Sequence, residues 1–249
     1  MRISVLTLFP EMFAGFTSSS IVGRSIDRQI ASVDFVQIRD FAKDRYKHVD
    51  DKPFGGGAGM VMKCQPVVDA LNSVRSDTSH VVLMSPSGVP YTQEKAHELA
   101  GKEHLILLCG HYEGMDARIG KYVDEEISIG DYVLTGGELA SMVIMDSVIR
   151  LLEGSIKEES AADESYENGL LEYPQYTQPR EYDGECVPSV LLSGNHQKIR
   201  EYRRLQSLLI TKEKRPDLFA RYDLSKEDIR LLERFKKEGW STYEEEAQS

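Results

Sequence analysis

Five short strand-like runs, Ile3–Phe9, Phe35–Phe41, Val81–Met84, Leu105–Cys109 and Glu126–Ile129, set the strongest limit on how this chain can fold. Between them lie stretches whose apolar residues recur at helical spacing: one after Pro10, one over Pro66–Val74 and one over Thr92–Leu99. Strand-length runs alternating with amphipathic helices describe βα units, which pair in parallel and bury both faces of a sheet under helices. The fold class expected is therefore α/β with a largely parallel sheet. Gly137–Leu152 is helical in pattern and apolar almost all round, which predicts a buried helix. Its conspicuous charges are Asp146 and Arg150, four residues apart. That spacing suits an ordinary surface pair, but on a buried helix a guanidinium needs a specific partner or task.

The character of the chain changes after this helix. Ser155–Glu185 is acidic, polar and without periodicity, and reads as a linker or as a loop ordered on binding. Helical patterns return after Ser193–His196. The first carries Ile199, Tyr202, Leu205 and Leu209 on one side. The last opens at Ser225 with Asp228 three residues on, a capping-box signature, and shows Ile229, Leu232 and Phe235 on its apolar face. The division expected is thus an α/β domain over 1–154, a linker over 155–192 and a small helical domain over 193–249. The net charge of −11 argues against a nucleic-acid partner at first sight. The distribution does not: 195–237 holds 13 Lys and Arg against 7 Asp and Glu, whereas 153–185 holds 10 acids against 2 bases. Phosphate contact depends on the local field, so the C-terminal end is compatible with RNA. The longest apolar run has five residues, against the roughly 20 that a membrane span needs. Cys64, Cys109 and Cys186 are scattered, with no CxxC pair, no zinc signature and no disulfide framework, which suits a reducing cytoplasm.

Four glycine-bearing loops are candidates for chemistry. Phe54–Gly59 (FGGGAG) allows close approach to backbone but has the grammar of neither a dinucleotide fingerprint nor a P-loop. By itself it reads as a mobile surface loop. Ser85–Gly88 (SPSG) follows a strand and reads as a turn. Cys109–Gly114 (CGHYEG) and Ile129–Gly137 (IGDYVLTGG) also follow strands. Ligands of open α/β sheets bind at the carboxyl ends of strands, so the last three loops together are compatible with a nucleotide-like site. Asp163 and Glu164 lie in the linker, where acids ordinarily serve solubility.

The motifs taken in order carry more information. LFPEMF at Leu8–Phe13, VDDKPFGGGAGMVM at Val49–Met62, CGHYEGMDAR at Cys109–Arg118, SIGDYVLTGGELA at Ser128–Ala140, DSVIR at Asp146–Arg150, GLLEYPQYT at Gly169–Thr177, LLSGNH at Leu191–His196 and KRPDL at Lys214–Leu218 resemble the bacterial tRNA (guanine-N1) methyltransferases over nearly the full length. The resemblance implies a SPOUT-type α/β domain tied in a trefoil knot, a small C-terminal helical domain, and a homodimer whose active sites use both protomers. It implies S-adenosylmethionine held by Met84, Ser85, Pro86, Gly110, Tyr112, Glu113, Gly114, Ile129, Gly130, Asp131, Tyr132, Val133, Leu134, Gly136 and Gly137. It implies tRNA contacts from Arg24, Asp50, Gly55, Gly56, His196, Arg200 and Arg203. The catalytic pair it implies is Glu164 as general base and Arg150 as electrostatic stabiliser, with Asp163 as the alternative base one residue away. Magnesium dependence is also implied, although the sequence offers no assignable metal ligand set. His111, Gln178, Tyr202 and Ile210 stand where the family usually has Arg, Arg, Trp and Arg, and Glu164 replaces an Asp. A related knotted enzyme acting on another RNA position, a non-catalytic RNA-binding protein and a small-molecule α/β enzyme are the competing readings. The last explains neither the basic C-terminal segment nor the linker acids.

Overall fold

The computed structural model describes residues 1–156, 164–240 and 243. The chain divides into two compact units, Met1–Glu158 and Glu159–Ser249.

The first unit runs β1 (Arg2–Thr7), a 3-10 turn (Pro10–Phe13), α1 (Ala14–Thr17), α2 (Ser20–Asp27), β2 (Ser32–Gln37), β3 (Asp50–Asp51), β4 (Val61–Met62), α3 (Cys64–Val74), β5 (Ser79–Pro90), α4 (Gln93–Ala100), β6 (His104–Leu108), β7 (Glu125–Ser128) and α5 (Glu138–Ile149). Five strands form one sheet in the order β2-β1-β6-β5-β7, and every pair in it is parallel. Strand parity sorts the core. Ile3, Val5, Val82, Leu105 and Leu107 pack on one face with Ile144, Met145 and Val148 of α5. Leu6, Val81, Ile106 and Leu108 pack on the other with Val67, Ala70 and Leu71 of α3. Both faces are covered, as a parallel sheet requires.

Two expectations change. The run Phe35–Phe41 is not one strand: it ends at Gln37, whose side chain accepts the Arg39 N–H, and Ile38–Phe41 coils into a 3-10 turn. The helix α5 is buried along one side only. Leu139 and Val143 remain 48% and 46% exposed, so the apolar pattern exceeds what this unit covers.

β5 has an irregularity that matters below. Val82, Leu83 and Met84 pair with Glu125, Glu126 and Ile127; Val89 and Pro90 then pair with Ile127 and Ser128. The intervening residues 85–88 bulge out, and β5 resumes its contact with the same strand. The SPSG segment is therefore embedded in sheet pairing and is more than a turn.

The second unit contains β8 (Glu181–Tyr182), β9 (Glu185–Cys186), α6 (His196–Lys214), α7 (Pro216–Phe219) and α8 (Lys226–Glu238). Residues 164–192 pack with these helices: the Leu171 N–H donates to Thr211 Oγ1 of α6 at 2.8 Å, and Val190 joins Tyr202, Leu205, Leu231 and Tyr243 in the core. Leu231, not Ile229, is the buried residue at the start of α8; Ile229 is 44% exposed. The capping box forms as its spacing predicts, with Ser225 and Asp228 exchanging side-chain and backbone bonds.

Asp228 does a second job. It is 1% exposed and receives Arg204 Nε at 2.7 Å and Nη2 at 3.1 Å. Burial pushes its carboxyl pKa up, but the bonds from Arg204 and Ser225 outweigh this and hold it below the usual value. A carboxylate with a depressed folded pKa contributes stability above its unfolded pKa and loses it as pH falls through the folded one. Asp228→Ala strands the half-buried Arg204 charge. It is expected to destabilise the second unit by about 2–3 kcal/mol at neutral pH, and by less in acid; urea titrations at the two pH values measure both.

Candidate active site

Because the sheet is parallel, the bulge within β5 lies on the same edge as the carboxyl ends of β6 and β7, and it meets the loops leaving those two strands. They enclose a cavity of about 270 Å³. Every residue expected to hold the cofactor lines it except Asp131; His111, Ile127, Ser128, Thr135 and Ala140 line it as well.

Its floor is tight for a stated reason. The Gly137 N–H donates to Gly110 O at 2.8 Å, and His111 and Gly136 form an antiparallel bridge. These contacts zip the loop after β6 to the entry of α5. A Cβ on Gly137 would sit 2.8 Å from Cys109 Cα and 3.1 Å from Met84 Cβ. On Gly136 it would sit 2.3 Å from Glu138 Oε2 and 2.7 Å from His111 Nδ1. At this floor, then, glycine is required for space. Tyr112, which lines the cavity, is at φ 60°, a region that L-residues seldom adopt.

Glu138 was not among the expected residues. It is 2% exposed and accepts a 2.7 Å bond from Thr7 Oγ1 of β1, fixing the first turn of α5 against the sheet. The available signal was an acid opening an otherwise apolar helix, where the helix dipole favours negative charge. The Nδ1 atom of His111 is buried without a hydrogen-bond partner, while its ring packs 5.0 Å from those of Phe9 and Tyr112. Burial raises the pKa of the Cys109 thiol far above its usual value, and Cys109 meets Ser141 Oγ at 3.1 Å, so it serves as core and not as a nucleophile.

The glycine loop over Phe54–Gly59 is tied to this cavity. Glu113 N–H donates to Met60 O, Met62 N–H to Gly114 O and Asp116 N–H to Met62 O, at 3.0, 2.9 and 3.0 Å. The Glu113 carboxyl lies against Gly59, leaving no room there for a Cβ. Gly55 and Gly56 take φ 88° and 80° with open space around them. Asp50 is half-buried in β3, opposite Met62. Arg24, on α2, lines a separate open cavity with Arg28 and Gly154. Arg150 is half-buried and caps the carboxyl end of α5.

In the second unit, Glu164 is half-buried, and its carbonyl accepts the Glu167 N–H at 3.3 Å. Asp163 lies outside the described residues. His196, Arg200 and Arg203 fall on the first two turns of α6, four and three residues apart, and so share one face. Among the described residues no three His, Cys, Asp or Glu side chains converge to hold a metal ion, and no helix is long and apolar enough to cross a membrane.

A family model described as tRNA (Guanine-1)-methyltransferase TrmD matches residues 1–221. The tRNA (guanine-N(1)-)-methyltransferase of Clostridium botulinum is 53% identical over 239 residues, which cover 95% of this chain and 99% of that protein. That of Clostridium perfringens is 55% identical over 234 residues, covering 93% and 99%.

Proposed function

The chain belongs to the tRNA (guanine-N1)-methyltransferase family, and on that premise we infer that the cavity at the β5 bulge and the ends of β6 and β7 holds S-adenosylmethionine while N1 of the guanosine 3′ to the anticodon receives the methyl group. The observation that carries the reading is the convergence of the β5 bulge and the loops after β6 and β7 on one cavity with a glycine floor. The lining fits the cofactor. Ile127, Ile129, Leu134 and Ala140 offer an apolar wall for a purine ring, the loop backbones offer polar groups for its edge, and Glu113 offers a carboxylate for a cationic end.

When bound, the cofactor supplies an electrophilic methyl carbon. The protein must remove the proton from guanine N1, because the protonated nitrogen is a poor nucleophile. Glu164 is assigned that role. Deprotonation moves negative charge onto O6, and the Arg150 guanidinium stabilises it there. Holding donor and acceptor in line supplies much of the remaining acceleration. The described residues do not fit a magnesium cage, so no step is routed through that ion.

The finer parts of the reading rest on the family and on local features. The knotted threading of the first domain belongs to the family fold, as does a cytoplasmic setting. Exposed Leu139 and Val143 on α5, with Val133 89% exposed in the cavity loop, support burial of this surface by a second copy. The basic face of α6 supports the second unit as the tRNA platform. Unmodified tRNA transcripts with G or A 3′ to the anticodon, incubated with S-adenosylmethionine, test the function. Nucleoside mass spectrometry is expected to find N1-methylguanosine in the G transcript only. A methyl group elsewhere would move the chain to another RNA position, and none at all would leave an RNA-binding protein.

A further inference from the structure

The second unit has a cavity of its own, of about 280 Å³, walled by the segment 174–180, Val187, Leu191, Leu192 and Arg203. Its wall contains two guanidinium groups, Arg180 and Arg203, and no carboxylate. In a chain of net charge −11 this is unexpected, and more so because Arg180 is one of only two bases in 153–185. Three other arginines of this unit are matched: Arg204 to Asp228, Arg234 to Glu201 and Arg215 to Asp217. Among the described residues, neither Arg180 nor Arg203 has a carboxylate partner. Arg203 is also half-buried, and its guanidinium carbon lies 4.8 Å from the centre of the Tyr173 ring, a cation–π distance. A half-desolvated cation without a counter-charge favours an anionic ligand.

The rest of the wall narrows the class of that anion. Tyr176 is 47% exposed, Leu191 and Val187 provide apolar surface, and Thr177 and Gln178 add hydroxyl and amide groups. Phosphate, flat ring and polar ring edge together describe a nucleotide, and a base is free to stack on a tyrosine only when it has left its helix. We propose that this cavity takes one unpaired nucleotide of the tRNA, its phosphate between Arg180 and Arg203 and its base against Tyr176. The inference rests on the function proposed above and adds a contact to a nucleotide other than the methylated guanosine.

The test uses the full-length chain and an unmodified tRNA transcript, with binding followed by fluorescence anisotropy across a salt series. Arg180→Ala is expected to lower affinity and to make the salt slope shallower by about one. Tyr176→Ala is expected to lower affinity roughly five- to hundred-fold with the slope unchanged, and Tyr176→Phe to restore it. Arg203→Lys keeps the charge and loses the flat fork, so it should weaken binding with little change in slope. Circular dichroism excludes unfolding, and the exposed Arg180 and Tyr176 keep the test sound if the Arg203 variant folds poorly. A photoreactive phenylalanine at position 176 should crosslink to an unpaired nucleotide; crosslinks confined to stems would overturn the proposal. If the unaltered chain methylates tRNA while Arg180→Ala and Tyr176→Ala bind it unchanged, the inference fails and the function stands. If the unaltered chain binds no tRNA, both fail.

Discussion

Glu164→Gln is expected to slow methyl transfer to tRNA by roughly two to four powers of ten, the range that a positioned general base contributes. The substitution keeps the size and the hydrogen-bonding reach of the side chain and removes its ability to take a proton. Its local frame should survive. Glu164 opens a short turn in which Tyr166 N–H donates to Leu170 O at 2.8 Å and Glu172 N–H donates to Ser165 Oγ at 2.9 Å, and neither bond uses the Glu164 side chain. Affinity for S-adenosylmethionine should barely change, since the cofactor cavity is built from the first unit. Glu164→Asp restores the residue the family usually carries and should retain substantial activity. Arg150→Ala should slow the chemical step as well, and single-turnover kinetics would separate that loss from slow product release. Asp163→Asn should do much less. Were Asp163→Asn inactive and Glu164→Gln nearly normal, the base would be the neighbouring residue. Were both nearly normal, proton removal would fall to another group or to water.

How far such assignments can be made from sequence depends on whether the determining contacts are local. The sheet was legible because Ile3–Phe9 and Leu105–Cys109 have the length and near-continuous apolar character of strands covered on both faces, and each face finds its own cluster. The cap of α8 was legible because both partners, Ser225 and Asp228, lie within one turn. Gathering the loops after β6 and β7 at one edge followed from parallel pairing alone, whereas the bulge inside β5 did not. What escaped depends on partners distant in sequence. The Glu138 carboxyl is explained by Thr7 on the first strand. The second role of Asp228 is explained by Arg204 on another helix. Phe35–Phe41 has strand-like composition throughout, yet Gln37 turns the chain by capping the 3-10 turn with its own side chain. The exposed apolar residues of α5 mark a different limit: periodicity reports that a surface must be covered and not by which chain.

Gly88→Ala is expected to be the most damaging single methyl group in the first unit. The position reads locally as the end of an SPSG turn, and its φ is not in the left-handed region, so glycine is not needed there for backbone freedom. It is needed for space. A Cβ at Gly88 would lie 2.4 Å from Ile127 N, 2.5 Å from Glu126 C and 2.6 Å from Glu126 O. These are main-chain atoms of β7, which cannot rotate aside as a side chain would. Relief requires moving β7 or the bulge, and both halves of the β5 pairing meet at the clashing residue, with Met84 and Val89 each opposite Ile127. The same shift would displace Met84 and Ser85 from one wall of the cofactor cavity and Ile129 and Gly130 from the other. Overpacking of this kind costs about 3 kcal/mol when the surroundings cannot yield, so Gly88→Ala should unfold at clearly lower denaturant and lose measurable affinity for S-adenosylmethionine. Gly120→Ala is the matched control: nothing lies within 4 Å of its Cβ position and its φ is ordinary, so it should be neutral or gain about 0.4–1 kcal/mol through the unfolded state. Urea unfolding and calorimetric titration with S-adenosylmethionine on both variants decide the matter. A Gly88→Ala protein with the stability and cofactor affinity of the unaltered chain would mean that β5 and β7 do not run past each other as described.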